Sequence, residues 1–230
     1  MGIYTRLKAL IPQQSCVLCA EYAQFCVCSE CEAEFSDEQQ NRCQSCAHPI
    51  IDGANVCGQC LAHPPIFSHT YTLYDYQQSV ALLIKKFKYE HQLCIGDYFA
   101  HQMVDKYKAI LLDEQYDAII PMPLSPQRIR ERGFNQVLEL LSVIKKQEKI
   151  TIDTSSVQRI KATQPLSNLK PEQRALEVRG AFQTKSLSYK RVLLVDDIMT
   201  TGASLNELAK TLAKAGVRSC DVLTLARAKI

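Results

Sequence analysis

The sequence lacks any long hydrophobic run and any recognisable secretion signal. Its longest purely apolar stretches hold about four or five residues, as in 192–195, whereas a membrane-spanning helix needs about 20. The broken apolar pattern and the proline within residues 1–16 are a poor match to a signal peptide. We therefore expect a cytoplasmic protein that does not insert into a membrane.

The net charge and the glycine motifs bear on whether the chain binds nucleic acids or nucleotides. The 230 residues include 27 Lys and Arg against 24 Asp and Glu, and the resulting formal charge of +3 is too small to indicate nucleic-acid binding by itself. Only 8 glycines are present. Neither G-x-G-x-x-G nor Gly-Lys-Ser/Thr occurs, which excludes a dinucleotide site and a Walker-type nucleotide site. With 47% hydrophobic and 22% charged residues, the chain is typical of a folded protein of one or two domains.

Cysteine and charge divide the chain into two parts. Residues 1–62 hold nine of the eleven cysteines and carry three basic against seven acidic residues, a balance of −4. The rest of the chain then carries 24 basic and 17 acidic residues, a balance of +7. The sequence His63-Pro64-Pro65 suits an extended linker. We predict a small N-terminal domain at residues 1–65 and a larger domain at residues 66–230.

Helical and strand-like patterns alternate in the larger part. Short apolar strands are predicted at 117–121, 191–195 and 222–226, and helical spacing of apolar residues is found at 79–87, 95–110, 135–144 and 204–215. Gly216 is well placed to end the last of these helices. This alternation predicts an α/β fold with a parallel sheet flanked by helices.

Four Cys-x-x-Cys pairs stand in the N-terminal part, and they predict structural zinc. Each pair presents two thiolates from one tight turn, and two pairs complete the tetrahedral sulfur site that Zn²⁺ prefers. Four pairs suit two zinc ions in a double zinc ribbon, with sequential pairing the simplest of three arrangements. One alternative is a disulfide framework, which needs an oxidising compartment. Another is a nucleic-acid-binding segment, which the charge balance of −4 disfavours. The ligands are Cys16, Cys19, Cys28, Cys31, Cys43, Cys46, Cys57 and Cys60.

The remaining cysteines have other interpretations. Cys26 is a spare thiol beside the second pair, with a small buried residue as the simpler interpretation. Cys94 and Cys220 are expected in the core rather than on a metal.

Residues 192–204 contain the chemistry that is most specific. A buried strand delivers Asp196 and Asp197 to its carboxyl end, and a turn of small residues then opens a helix. The backbone N–H groups of the turn favour an anion such as a monophosphate. Neighbouring carboxylates suit the vicinal hydroxyls of a sugar, with Mg²⁺ nearby. The segment therefore predicts a cradle for ribose 5-phosphate, whose turn consists of Thr200, Thr201, Gly202, Ala203 and Ser204.

This segment resembles the phosphoribosyl pyrophosphate (PRPP) signature of type I phosphoribosyltransferases. The shared pattern is four apolar residues, two acids, two variable residues and then Thr-Thr-Gly-Ala-Ser. The resemblance implies that Asp196 and Asp197 are the catalytic acids, which hold the ribose hydroxyls, and that residues 200–204 hold the 5-phosphate. It also implies that Mg²⁺ bridges the pyrophosphate and the ribose.

Further motifs narrow the resemblance to the ComF/GntX family of phosphoribosyltransferase-like proteins, which also carry a double zinc ribbon. These motifs are Ile120-Pro-Met-Pro-Leu124, Arg132-Gly-Phe-Asn-Gln136, Thr163-Gln-Pro-Leu166 with Arg174, Gly180-Ala-Phe182 and Lys85-Lys-Phe-Lys88. Members are linked to natural transformation and act on incoming single-stranded DNA at the cytoplasmic side of the membrane. The resemblance thus implies PRPP, single-stranded DNA and the competence helicase machinery as partners.

Two of these segments have a physical interpretation of their own. The constrained turn that includes Pro123 and Leu124 follows a strand and offers backbone groups to pyrophosphate. Arg128, Arg130 and Arg132 add positive charge beside it, which suits a dianionic leaving group, although a solvated basic helix is the simpler alternative. Residues 159–171 have weak periodicity and read as a mobile loop that closes over PRPP, or as a basic surface loop.

One position departs from the purine-salvage relatives, where an acid stands in place of Thr200. A threonine cannot act as a general base toward a purine nitrogen near neutral pH. Two functions therefore remain open. The first is transfer of a phosphoribosyl group to an unidentified acceptor, and the second is a non-catalytic protein that binds single-stranded DNA or regulates uptake and retains the PRPP cradle.

Overall fold

Short elements surround the cysteine pairs in the described portion of the N-terminal part. The computed structural model describes residues 14–35, 41–51, 53–161 and 171–228. Strands β1 (Gln14–Ser15) and β2 (Tyr22–Ala23) form an antiparallel pair, and helices α1 (Ser29–Ala33) and α2 (Gly58–Ala62) each begin within a Cys-x-x-Cys turn. Segments this short form little core of their own, so cross-links and contacts with the larger part must hold them.

A five-stranded sheet forms the centre of the larger part. Its strands are β3 (Thr70–Asp75), β4 (Ala118–Pro121), β5 (Thr151–Ile152), β8 (Arg191–Met199) and β9 (Ser219–Arg227), in the order β3-β9-β8-β4-β5. All four neighbouring pairs are parallel. The apolar residues 192–195 of the central strand β8 are fully buried, as a strand covered on both faces requires.

Helices flank this sheet in two groups. Helix α3 (Gln78–Tyr89), α4 (Leu93–Leu111), α5 (Pro126–Arg132), α6 (Gln136–Leu140) and α7 (Ser142–Gln147) precede α8 (Pro171–Val178) and α9 (Ala203–Lys214). Helix α4 packs against α3, α6, α7 and β3, while α9 packs against α8 and a small antiparallel pair, β6 (Val157–Arg159) and β7 (Phe182–Thr184). The predicted α/β fold with a flanked parallel sheet is confirmed. No helix in the described part of the chain is both long and apolar enough to cross a membrane.

Strand β8 is longer than the sequence predicts. The prediction ends the strand at Val195, but β8 continues through both aspartates to Met199. The reason is that β9 also extends, to Arg227, and pairs with Met199. The acidic pair therefore lies within a hydrogen-bonded strand, which holds its backbone more firmly than a turn would.

Three other expectations need correction. Cys94 is exposed in the first turn of α4 rather than in the core, whereas Cys26 and Cys220 are buried. The helix predicted at 135–144 is divided at Leu141 into α6 and α7. Arg159 belongs to strand β6 and is buried, because its guanidinium packs over the ring of Phe182, so it is not part of a surface loop. The predicted loop residues 162–170, with the motif at 163–166, lie outside the described residues.

Candidate functional site

The acidic pair and the turn that follows it line one cavity at the carboxyl end of the sheet. This cavity has a volume of about 640 Å³. Its walls include Asp196 and Asp197 of β8, all five residues 200–204 and the start of α9. Ligands of open α/β sheets bind at this edge, where strands end and helices begin.

Asp197 is held by two donors that converge on a single oxygen. The Lys88 Nζ lies 2.8 Å from Asp197 Oδ2, and the Gln136 side-chain amide donates to the same oxygen at 2.6 Å. Asp197 is 6% exposed, and Gln136 is buried as well. Burial opposes ionisation of Asp197, but the charge and hydrogen bond of Lys88, with the bond from Gln136, hold its pKa below the usual value. Asp197 is therefore a carboxylate at neutral pH.

Asp196 has a different electrostatic environment. It is partly exposed, and its Oδ1 accepts a hydrogen bond of 2.8 Å from the backbone N–H of Asp197. Burial and the neighbouring charge of Asp197 raise the pKa of Asp196 to about 7, although Lys88 and Arg159 act in the opposite direction. A cation placed against this pair would favour ionisation of both acids. Asp197 is thus the anchored acid, and Asp196 is the acid whose pKa lies near neutrality.

The turn after β8 has the geometry of an anion site. Gly202 is the N-cap residue of α9 and has a φ of +76°, a backbone conformation that residues other than glycine rarely adopt. A Cβ atom at this position would lie 2.7 Å from the Cε of Met199. The Thr201 hydroxyl accepts from the backbone N–H of Ala203 at 3.4 Å. Because α9 has twelve residues and begins at this turn, its unpaired N–H groups and its dipole favour a phosphate.

Basic side chains dominate the charge of the cavity wall. Five cations and three acids line it: Lys85, Lys88, Arg128, Arg132 and Arg159, with Glu131, Asp196 and Asp197. Arg132 lies over the ring of Tyr89 at 5.4 Å and donates to its hydroxyl at 3.4 Å. This excess suits a ligand with several phosphate groups, because each pairs with guanidinium or ammonium donors.

The structure brings most of the predicted site residues together. Asp196, Asp197, Arg132, Leu124 and the turn 200–204 all line the cavity. Pro123 lies in the same β4–α5 turn but is not among the lining residues, and Arg130 is exposed away from the cavity wall. The side-chain oxygen of Ser125 accepts from the N–H of Arg128 and so begins α5 directly beside Leu124. The ligand roles of these residues remain predictions.

Lys88 and Gln136 contact Asp197, and the sequence interpretation left both without a role. Both occur in motifs of the family, but neither motif indicates which partner the residue takes. A signal for Lys88 exists in the helical pattern, because it falls four residues after the buried Ile84 and shares its face of α3. A lysine on a buried stripe needs a carboxylate partner. Gln136 offers no such signal, since it stands in the first turn of a short helix.

The eight cysteines form two separate groups of four. One group holds Cys16, Cys19, Cys28 and Cys31, the other holds Cys43, Cys46, Cys57 and Cys60, and the ligand atoms within each group lie within 4.8 Å of one another. We call these the first cluster and the second cluster. The pairing is therefore sequential, the simplest of the three predicted arrangements.

The thiols of both clusters fit zinc. Burial disfavours the thiolate of Cys16, but hydrogen bonds from the backbone of Cys19, Cys28 and Leu18 lower its pKa to about 6. In the second cluster, the N–H of Cys57 donates to Cys43 Sγ at 3.2 Å and contributes to lowering the pKa of Cys43 to about 7, again against burial. Four thiol donors, with a backbone N–H donating to Cys16 in one cluster and to Cys43 in the other, are the ligand set of a closed structural zinc site. Both clusters could bind zinc.

Comparisons with known proteins identify relatives of this chain. Residues 134–229 match the family described as "Phosphoribosyl transferase domain". Competence protein F of Haemophilus influenzae is 31% identical over 209 residues, which cover 88% of this chain and 90% of that protein. The DNA utilization protein YhgH of Salmonella typhimurium is 26% identical over 208 residues, covering 87% and 90%.

Competence protein ComFC of Streptococcus pneumoniae is similar along the same part of the chain. It is 24% identical over 219 residues, which cover 88% of each protein. Each of these matches covers nearly nine-tenths of the chain, so it reaches beyond the sheet into the cysteine-containing part. The chain is therefore a member of the ComF family, whose type I phosphoribosyltransferase-like sheet follows two N-terminal cysteine clusters that fit zinc ribbons.

Proposed function

We propose that the cavity binds PRPP together with Mg²⁺ and that the protein transfers the phosphoribosyl group to an acceptor, with departure of pyrophosphate. The observation that carries the proposal is the convergence, in one cavity, of two adjacent carboxylates with the N–H groups of a helix-opening turn. Carboxylates accept hydrogen bonds from sugar hydroxyls, and the N–H groups of the turn donate hydrogen bonds to a phosphate. Few ligands other than a phosphorylated pentose require both.

Each part of the cavity then has a task. Asp196 and Asp197 accept hydrogen bonds from the ribose hydroxyls, and the turn 200–204 receives the 5-phosphate. The β4–α5 turn, with Pro123, Leu124 and Arg132, contacts the pyrophosphate, whose negative charge grows as its bond to the ribose breaks. Lys88 and Gln136 keep Asp197 ionised and fixed in position.

Magnesium fits the donor set of this cavity. Carboxylate oxygens and phosphate oxygens are its preferred ligands, and Mg²⁺ is commonly held by one or two carboxylates together with substrate phosphates. When bound, the ion would neutralise the pyrophosphate and so stabilise its departure. Zinc has a structural task in the two cysteine clusters, away from the reacting atoms.

Calorimetry with PRPP and Mg²⁺ tests the proposal. We expect binding by the wild-type protein and a loss of at least about tenfold in affinity for Asp196→Asn, because a hydrogen bond to a charged group contributes about 1.5–3 kcal/mol. Asp113→Asn is the matched control, since Asp113 is an exposed carboxylate after α4. Failure of the wild-type protein to bind PRPP with Mg²⁺ would overturn the proposal.

A second candidate function is DNA-linked and non-catalytic. Two observations favour it: Thr200 lines the cavity where purine-salvage enzymes have an acid, and relatives are named for competence and DNA utilization. In this case the protein binds single-stranded DNA in the cytoplasm, beside the competence helicase machinery, and PRPP is a regulatory ligand. Steady release of pyrophosphate with a candidate base would refute this function. Binding of single-stranded DNA with a steep salt dependence would support it.

A further inference from the structure

A single buried guanidinium connects the second cluster to the phosphate-binding turn. Arg227, the last residue of β9, is 2% exposed. Its Nε donates to the backbone carbonyl of Cys46 at 2.7 Å, and its Nη1 donates to the carbonyls of Met199, at 3.2 Å, and of Thr200. Cys46 belongs to the second cluster, and Thr200 is the first residue of the turn. Arg227 therefore contacts both at once.

The contact with the turn determines where its N–H groups point. In a trans peptide unit, a carbonyl and the following N–H lie in one plane and point in opposite directions. Arg227 shares the carbonyl of Met199 with the backbone N–H of Ala228, which donates to it at 2.9 Å, and it also holds the carbonyl of Thr200. The N–H groups of Thr200 and Thr201 therefore point away from Arg227. Both threonines line the cavity. Arg227 thus orients donors of the phosphate site without contacting the ligand.

The contact with the second cluster is supported by the neighbouring strand. The backbone N–H and the hydroxyl of Thr70 donate to the carbonyls of Gln44 and Ser45 at 2.8 and 2.7 Å. Arg42 pairs with the buried carboxylate of Asp75 at 2.9 Å. The Cys43–Cys46 turn is therefore seated on β3, beside Arg227. A metal held by the four thiols would restrain this turn and, with it, the Cys46 carbonyl.

The first cluster has a different neighbour. Glu32 of α1 accepts from the side chain of Gln102 at 2.7 Å, and the ring of Phe25 lies 5.7 Å from that of His101. Gln102 and His101 both belong to α4. Among the described residues, the Arg227 side chain donates to a cysteine carbonyl of the second cluster and to none of the first cluster. The two clusters thus provide an internal comparison.

We propose that Arg227 is a positioning residue for the phosphate-binding turn and that it links zinc binding at the second cluster to ligand binding in the cavity. This inference rests on the proposed function. Linkage is reciprocal: if zinc at the second cluster favours PRPP, then PRPP favours zinc at that cluster by the same factor. Zinc at the first cluster has a weaker effect on PRPP.

The reciprocal effect can be measured without enzymatic turnover. The apparent zinc affinity is determined by competition with a chromophoric chelator that binds Mg²⁺ weakly, in the presence and absence of PRPP with Mg²⁺. Cys19→Ser leaves the second cluster intact, and Cys57→Ser leaves the first intact. We expect PRPP to increase the zinc affinity about tenfold in Cys19→Ser and by clearly less in Cys57→Ser.

Substitution of Arg227 tests the connection itself. Lysine keeps the charge but cannot donate in two fixed directions, so Arg227→Lys should remove most of the effect of PRPP on zinc affinity. Arg218→Lys is the matched control, because Arg218 is exposed and directly precedes β9, at the end opposite to Arg227. Arg227→Met serves as a second variant. If Arg227→Met does not fold, Arg227→Lys still provides the test.

The outcomes separate the two proposals. If PRPP binds the wild-type protein but leaves the zinc affinity of the second cluster unchanged, the linkage is refuted and the proposed function stands. If Arg227→Lys retains the full effect of PRPP, Arg227 is not the connecting residue. If PRPP does not bind the wild-type protein at all, both proposals fail.

Discussion

Lys88 contributes to the difference in pKa between the neighbouring side chains of Asp196 and Asp197. It places an ammonium group 2.8 Å from Asp197, and its own side chain is only 11% exposed. The pair therefore acts with little screening by solvent, and one aspartate remains ionised while the pKa of the other rises. Two like charges within one cavity are stable only with such a partner.

Removal of this ammonium should expose the cost of burying Asp197. We expect Lys88→Met to lower the free energy of unfolding by about 3 kcal/mol at pH 8, since an ionised carboxylate then lacks its charged partner. The loss should be smaller at pH 5. In the wild-type protein the lowered pKa of Asp197 stabilises the fold above the unfolded pKa of about 4, and this contribution disappears only as the pH falls further. Without Lys88, burial raises this pKa, so protonation relieves the cost at a higher pH.

Urea unfolding at pH 5 and pH 8 measures this difference. Lys86→Met is the matched control on the same helix, because Lys86 pairs with the exposed Glu90 and should change stability by no more than about 1 kcal/mol at either pH. An equal loss for Lys88→Met at both pH values would contradict the assignment.

At the scale of elements, the junction of β8 and α9 determines the geometry of the cavity. The strand ends at Met199, the chain reverses within three residues, and Gly202 caps the helix with a positive φ. The turn has no room for a larger residue at this point, because Met199 lies beneath it. The packing of one strand end thus sets the position of the N–H donors.

Gly202→Ala should damage this junction in two ways. The positive φ alone destabilises alanine by about 1–2 kcal/mol, and the new methyl group must also displace the Cε of Met199. We expect a loss of stability together with a loss of affinity for PRPP. The two are measured by thermal unfolding and calorimetry.

Gly133 provides the control for backbone strain. It has the same φ of +76° at the end of α5, but a Cβ atom there meets nothing within 4 Å. Gly133→Ala should therefore show the loss of stability without the steric part. Equal losses of PRPP affinity in both alanine variants would contradict the role assigned to the turn at Gly202.

At the scale of the whole molecule, the cysteine clusters and the sheet support each other. The second cluster is seated on β3 and Arg227, and α1 beside the first cluster contacts α4. The N-terminal elements within residues 14–35, 41–51 and 53–62 contain at most five residues each, so their own hydrogen bonds cannot hold them. The boundary predicted at residue 65 remains a prediction.

We expect two zinc ions per chain, measured by elemental analysis, and selective unfolding when they are removed. Structural zinc contributes about 10–16 kcal/mol of apparent binding free energy per site in small zinc-dependent folds. Chelation should therefore increase hydrogen exchange throughout residues 14–62 while the strands β4 and β8 stay protected. A zinc-free protein with unchanged circular dichroism and unchanged exchange would contradict this expectation.

Local patterns in the sequence were sufficient for the main features of this protein. The apolar runs of β4, β8 and β9 predict buried strands because a strand covered on both faces needs no polar positions, and the spacing of the cysteine pairs predicts two four-thiolate groups because each turn brings its own ligands together. The acid pair with Thr-Thr-Gly-Ala-Ser predicts the cradle, since all its parts are adjacent in the chain.

The tertiary structure decided what depends on residues far apart in the chain. The ion pair of Lys88 with Asp197, the bond from Gln136 and the double contact of Arg227 join segments separated by tens of residues or more. Each arises where a long polar side chain reaches a buried partner whose position only the packing of sheet and helices defines. The sequence alone therefore predicted which residues line the cavity, and the fold determined which residues hold them in place.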